Sequence, residues 1–384
     1  MTRFVFACDS FKGTISSARA AKLLEAEARA AFGDVECLGL GVADGGEGTV
    51  EAVVAATGGS LVSAEVEGPL GDPVRATYGL LPGNRAVIEM AAASGITLVS
   101  REALDPLRAS TYGTGQLVLD ALDHGATDVS LAIGGSATND GGMGFARALG
   151  ARFLDAGGAE LRGCGADLER VASIDLSGLE ARLRAARFHV MCDVDNPLVG
   201  ERGATYVFGP QKGASPEVLE RLEAGMRSYA TVLERTFGTL VAHEGGMGAA
   251  GGLGAAARLF LSAEVVPGVE WVLDLVGLDD ALEGAALCVT GEGHADAQSA
   301  HGKVISGVAA RCRAAGVPCV AIVGGMDANA TELLGCGVDA LVPTVIDAAP
   351  LFDVLAHAEE NFVLAARRTF SLLSIGSRLG GERS

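Results

Sequence analysis

Phe4-Val5-Phe6-Ala7-Cys8-Asp9-Ser10-Phe11-Lys12-Gly13 opens the chain with an apolar run that turns abruptly polar. Five consecutive apolar residues read as a strand buried on both faces over 4–8, and residues 9–13 as the turn that leaves it. A helix is predicted over 17–32, because Ala20, Leu23, Leu24 and Ala31 recur at helical spacing and Ser16 or Ser17 can cap its start. A strand over 35–42, a helix over 48–57 and a strand over 61–66 complete a βαβαβ beginning, the signature of a doubly wound parallel sheet.

The alternation breaks at Gly68-Pro69-Leu70-Gly71-Asp72-Pro73, where two prolines and two glycines mark a domain crossing. Beyond it lie strands predicted over 74–81, 85–90, 129–133 and 188–192, with helices over 114–124, 144–149 and 216–236. From 287 the α/β alternation returns: strands over 287–290, 319–323 and 340–342, and helices over 303–314, 330–334 and 351–373. The expectation is therefore an α/β protein in which residues 1–67 and 286–384 build one parallel-sheet domain. Residues 68–285 form an inserted mixed α/β domain, and the active site falls in the cleft between the two.

Composition supports this. The 384 residues are 49% hydrophobic but only 5% aromatic, which suits thin layers of helix on sheet. A formal charge of -19 argues against a nucleic-acid partner, and an anionic substrate needs a local basic focus. Eight scattered cysteines without a Cys-x-x-Cys pair read as reduced thiols rather than a zinc site or disulfide framework. The apolar run at the N-terminus is too short for a signal-peptide core, and no window reads as a membrane span, so the expected location is cytoplasmic.

The polar residues gather in glycine-rich loops. Ile133-Gly134-Gly135-Ser136-Ala137-Thr138-Asn139-Asp140-Gly141-Gly142 follows a strand, and its bare amides and hydroxyls suit phosphate oxygens. Asp9, Ser10 and Lys12 stand at the carboxyl edge of the first strand, where they can meet a carboxylate or phosphate. Asp44 and Glu47 lie among three glycines just before a helix; capping accounts for one acid, a hydroxylated ligand for both. Asp193 and Asp195 alternate at a strand end, able to hold Mg²⁺ or to take a substrate hydroxyl proton, with an Asx turn ahead of Pro197 as the competing reading. Lys212 in Phe208-Gly209-Pro210-Gln211-Lys212-Gly213 can reach phosphates. Glu292 and Asp296 follow another strand in Thr290-Gly291-Glu292-Gly293-His294-Ala295-Asp296, and Gly302-Lys303 opens the next helix. His294 and His301 lack the clustering of a metal site. No P-loop occurs, and Gly252-Leu253-Gly254 reads as a tight helix contact rather than a dinucleotide loop.

Taken in order, Asp9 to Gly13, Val42 to Thr49, Tyr112-Gly113-Thr114-Gly115, 133–142, Cys192 to Leu198, Phe208 to Gly213 and Thr290 to Gly293 resemble the bacterial glycerate kinases of glyoxylate and glucarate catabolism. The resemblance implies ATP-dependent phosphorylation of D-glycerate with Mg²⁺, 2-phosphoglycerate being favoured over 3-phosphoglycerate. It also implies a flavodoxin-like (Rossmann-like) domain made by both chain ends around an inserted one. On that resemblance Asp9, Ser10, Lys12, Asp44, Glu47, Asp193, Glu292 and Asp296 lie near the cleft. Gly134, Gly135, Ser136, Thr138, Asn139, Asp140, Gly141 and Lys212 are then assigned to ATP, Asp193 or Asp195 to Mg²⁺ or the proton, and Lys12 with Ser10 to the substrate carboxylate. The sequence departs from the family pattern at His294, where arginine is usual, and at Gln116, where glutamate is common. A small-molecule kinase of the GHMP type and a non-catalytic two-domain carboxylate-binding protein are the alternatives. The expected partner is a small molecule, with no nucleic acid or membrane, and the protein is a monomer or homodimer.

Overall fold

The computed structural model describes residues 2–11, 13–46, 48–296, 299, 302–347 and 349–381. The chain divides into two compact units. The first comprises the chain up to Asp44, Glu51–Thr57 and the chain from Val269 onward; the second comprises Gly45–Val50 and Gly58–Gly268.

The first unit is a five-stranded, wholly parallel sheet in the order Ala340–Pro343, Cys319–Met326, Ala285–Ala295, Arg3–Cys8, Glu36–Gly39. Numbered within the unit, that order is 5-4-3-1-2. The strand order reverses between Arg3–Cys8 and Ala285–Ala295, and in sheets of this kind ligands bind at the carboxyl ends beside such a reversal. The opening apolar run is buried throughout, as a strand covered on both faces requires. Helix Ser17–Phe32 starts where Ser16 accepts the Arg19 amide and ends at Gly33, whose φ of 74° suits glycine. Phenylalanines pair across this core: Phe11 meets Phe362 edge-on at 5.0 Å, and Phe4 meets Phe32 at 5.2 Å. Phe362 and Phe370, on helix Ala358–Gly381, thereby anchor the C-terminal segment on the N-terminal strand.

The second unit carries a six-stranded mixed sheet in the order Glu264–Val266, Arg187–Met191, Asp128–Ala132, Arg85–Glu89, Pro73–Leu81, Ser60–Glu67. The first four run parallel and the last two pair antiparallel. The strand expected over 61–66 therefore does not belong to the parallel sheet of the first unit. Its half-exposed alternation fits an edge strand, and Gly68 to Asp72 closes a hairpin with the Gly68 amide on the Asp72 carbonyl at 2.7 Å. The boundary expected at 68 consequently falls at 58. The return expected at 286 falls at 269, because helix Gly268–Leu275 packs within the first unit: a Cβ on Gly307 would lie 2.5 Å from Val269.

Candidate active site

In the first unit the chain places acids at the reversal of strand order. The Asp9 amide donates to the Gly291 carbonyl at 2.8 Å, carrying the pairing one residue past Cys8 and setting Asp9 at the strand end. Asp9 is buried and takes the Ser10 amide on Oδ1 at 2.6 Å. Ser17 Oγ donates to the Cys8 carbonyl at 2.6 Å and accepts the Val42 amide at 3.3 Å, tying the ends of the first two strands together. Asp9, Ser10, Asp44, Glu292, His294 and Lys303 line a cavity of about 710 Å³, whose other wall is apolar, with Phe11, Leu351 and Leu355.

Glu292 is the unusual member. Burial pushes its carboxyl pKa up; hydrogen bonding to Ser299 and the Lys303 ammonium pull it down, and Asp296 and Asp44 add upward pressure. Its Oε1 is buried and meets no hydrogen-bond partner among the described residues. An oxygen in that state costs about 1–3 kcal/mol until a donor arrives. Asp296 stands 3.6 Å from the Lys303 ammonium and accepts from Ser299, so its contact is with the cation rather than directly with the cavity. Lys303, which the sequence groups with the neighbouring acids as suited to a phosphate or substrate-hydroxyl contact, lines the cavity and supplies a basic focus in a chain of net charge -19. Lys12, Glu47 and His301 lie outside the described residues.

The glycines of this strand end have a different purpose from the one expected. A Cβ on Gly291 would lie 2.0 Å from the Ile322 carbonyl, and one on Gly324 2.3 Å from the Gly293 carbonyl. Close strand packing, not ligand approach, requires them.

In the second unit, residues 133–142 split into an outer and an inner half. Gly134 and Gly135 are exposed, Gly135 at φ 74°. No acceptor among the described residues meets the amides of Gly134, Gly135 or Ser136. That trio, with the Ser136 hydroxyl, presents donors of the kind that anion-binding loops use. Thr138, Asn139, Asp140 and Gly141, expected at the phosphates, turn inward instead and are fully buried. Asp140 accepts from the Thr111 amide at 2.8 Å, Thr111 Oγ1 at 2.7 Å, the Gly142 amide at 3.0 Å and the Gly144 amide at 3.1 Å. Burial pushes its pKa up while these donors pull it down. With its oxygens so engaged, Asp140 shapes the loop from behind. Thr111, which sequence reasoning missed, is the other half of this brace: its hydroxyl also accepts the Phe145 amide at 2.9 Å.

The run 245–254 explains the inward turn. A Cβ on Gly251 would fall 2.1 Å from the Thr138 carbonyl, and one on Gly252 2.6 Å from Gly141 Cα, while the Gly141 amide donates to the Gly251 carbonyl at 2.9 Å. Two backbones pack directly on each other here, as the helix-contact reading of Gly252 and Gly254 expects. Lys212 is buried too, with Nζ on Ser136 Oγ and the Thr138 carbonyl.

Asp193 and Asp195 do not combine into a cation site. The strand ends at Met191, so the alternation that would align them is lost; Asp193 Oδ1 accepts the Gly268 amide at 2.8 Å, and both Asp195 oxygens face Arg202 at 3.2 and 3.3 Å on the surface. No group of three metal-ligating side chains exists among the described residues. Asp195→Ala is expected to leave kcat/KM within about threefold of wild type, as loss of an exposed ion pair should; steady-state kinetics checks this.

The two departures also have physical readings. Gln116 Oε1 accepts the Glu67 amide at 2.7 Å, a task an amide oxygen performs as well as a carboxylate. His294 lines the cavity with Nε2 3.3 Å from Asp327 Oδ1, an exposed contact without the forked reach of arginine. Glu89, also missed, accepts the Val50 amide at 2.8 Å and so caps helix Thr49–Thr57.

Acids at a strand reversal and a loop of unpaired amides are the equipment of a small-molecule phosphotransferase. The chain belongs to the glycerate kinase family: the sequence model of that family matches residues 4–374. A glycerate kinase of Bacillus subtilis is 44% identical over 95% of this chain and 96% of its own length. A glycerate 2-kinase of Escherichia coli is 42% identical over 99% and 100%. A crystal structure from Salmonella typhimurium LT2, provisionally described as glycerate kinase 2, superposes with a TM-score of 0.90 at 44% identity, covering 98% of this chain and 99% of that one. Among the described residues, no helix is long and apolar enough to cross a membrane.

Proposed function

We propose that the protein transfers the γ-phosphoryl group of ATP to D-glycerate, with the 2-hydroxyl as acceptor. The observation that carries this reading is Glu292: a buried carboxylate with one oxygen that meets no donor among the described residues, beside Asp9, Ser10 and Lys303 in the 710 Å³ cavity. A glycerate hydroxyl is the donor that oxygen lacks, and a raised pKa suits a group that takes a proton as the hydroxyl attacks phosphorus. Asp44 accepts from the second hydroxyl, while Ser10, Lys12 and Lys303 hold the carboxylate. Several acids lining one hollow would repel a passively bound anion and suit hydroxyls, which disfavours a mere carboxylate binder.

The flavodoxin-like first unit thus holds the acid, and Gly134 to Ser136 of the second hold nucleotide phosphate. The competing GHMP-type reading needs the 252–254 loop for the nucleotide, but backbone already covers those glycines. Mg²⁺ arriving with the nucleotide spreads the charge of the transferring phosphoryl group. The Asp193–Asp195 pair does not fit as its joint seat, and no step depends on that pair. With ATP as donor, the proposed compartment is the cytoplasm.

ADP release that depends on D-glycerate, followed in a coupled assay, tests the reading; ADP release indifferent to glycerate defeats it. Lys12→Ala is expected to raise KM for glycerate by about tenfold, the cost of one charged contact. A change of less than threefold would remove Lys12 from the carboxylate's partners.

A further inference from the structure

Lys212 ends the short 3-10 turn Pro210–Lys212 and is only 1% exposed. Lysine is seldom buried so completely unless its head group is fully used. Here Nζ donates to Ser136 Oγ at 2.7 Å and to the Thr138 carbonyl at 2.6 Å. The two acceptors flank Ala137, where the loop leaves the surface for the interior, so one side chain pins both ends of that bend. Ser136, accepting on Oγ, keeps its own hydrogen for an acceptor outside the loop.

We infer that Lys212 is a positioning residue for phosphate binding: it fixes Ser136 and Thr138 so that the 134–136 amides and the Ser136 hydroxyl face a phosphate, without touching that phosphate itself. This rests on the reading of residues 134–136 as the phosphate seat. It departs from the expectation that Lys212 reaches the nucleotide directly, because its nitrogen is already occupied by the loop.

The same geometry couples the seat to pH. A neutral amine has two hydrogens, and two acceptors use both; the third hydrogen of an ammonium meets no acceptor among the described residues. Burial pulls the Lys212 pKa down to about 7, against the attraction of Asp140. Asp140 is committed to Thr111, Gly142 and Gly144, and its titratable neighbours Cys164 and Tyr229 are held protonated by burial across the neutral range. A phosphate at Ser136 favours the ammonium. The free protein sheds that proton above pH 7 while the complex keeps it, so phosphate affinity falls as pH rises.

Inorganic pyrophosphate titrated calorimetrically into the full-length protein, together with steady-state kinetics, decides this. Lys212→Met is expected to weaken pyrophosphate binding and raise KM for ATP by about tenfold or more, the loss of hydrogen bonds from a charged group, with KM for glycerate within about twofold. Lys212→Arg, which retains donors, restores part of the loss. Ser136→Ala, which keeps the lysine, gives a smaller loss in the same constant, and decides the matter if Lys212→Met does not fold. Between pH 6.5 and 8.5 wild-type pyrophosphate affinity falls relative to that of Lys212→Met, which carries only the titration of pyrophosphate itself. Wild-type-like binding in Lys212→Met, or equal loss for ATP and glycerate, overturns the inference. Should glycerate not be phosphorylated at all, the substrate reading falls while the pyrophosphate titration still answers for Lys212.

Discussion

Glu292→Gln is expected to lower kcat/KM for D-glycerate by about 10²–10⁴-fold, the usual contribution of a positioned proton acceptor. Glutamine keeps the shape of the side chain and removes only its basicity, so the loss should fall on kcat more than on KM for ATP. Stability should move the other way. Glu292 has a folded-state pKa raised above its unfolded value, chiefly by burial, so the folded protein binds the proton more tightly than the unfolded chain. As pH climbs from the unfolded pKa through the folded one, this group progressively costs stability. Glu292→Gln abolishes that penalty, and urea unfolding at pH 7.5 should show a variant no less stable than wild type. An enzyme that is active within threefold of wild type would show that Glu292 takes no proton.

The second large effect is structural. Gly251→Ala must place a Cβ 2.1 Å from the Thr138 carbonyl and 2.8 Å from Asn139 Cα, at a backbone φ of 68° that alanine resists. Neither obstacle is a flexible side-chain tip. The expected loss is about 3 kcal/mol or more, in the range reserved for clashes inside packed backbone. Because Thr138 and Gly141 carry the inner half of the loop proposed to seat phosphate, binding of ATP should suffer with it. Circular dichroism is the suitable probe, since the sole tryptophan, Trp271, lies in the other unit. Gly376→Ala makes the matched control: nothing lies within 4 Å of its Cβ on helix Ala358–Gly381, and relief of helical glycine should stabilise by about 0.5–1 kcal/mol.

Much of the fold is legible in the chain because parallel strands buried on both faces are written as continuous apolar runs, as in Phe4 to Cys8 and Cys319 to Val323. The acids of the cavity are legible for a related reason: Asp9 and Glu292 come directly after or at the end of such runs, and strand ends are where these sheets bind ligands. The segment around Leu61 misleads because an edge strand and a parallel strand share composition. Its alternation of Ser63 and Glu65 with apolar residues is the signal that separates them.

Glycine is the harder letter to read. Gly134 and Gly135 leave amides without acceptors among the described residues, whereas Gly251, Gly252 and Gly291 let one backbone approach another. Both demands select the same residue, and only the partner across space distinguishes them. Asp140 and Lys212 read as ligand contacts in the sequence for the same reason: a polar residue in a glycine loop looks identical there whether it faces out or braces the loop from within. Thr111, which holds Asp140, has no mark of its own in the sequence.

The central claim is that a glycerate hydroxyl, received by Glu292, accepts phosphate from ATP. Phosphorus NMR of the purified protein with ATP and D-glycerate tests it most directly. A new phosphomonoester resonance split into a doublet by the single C2 proton is the predicted result. A triplet, from phosphate on the C3 methylene, contradicts the assigned position, and an ATP spectrum unchanged by glycerate contradicts the account itself.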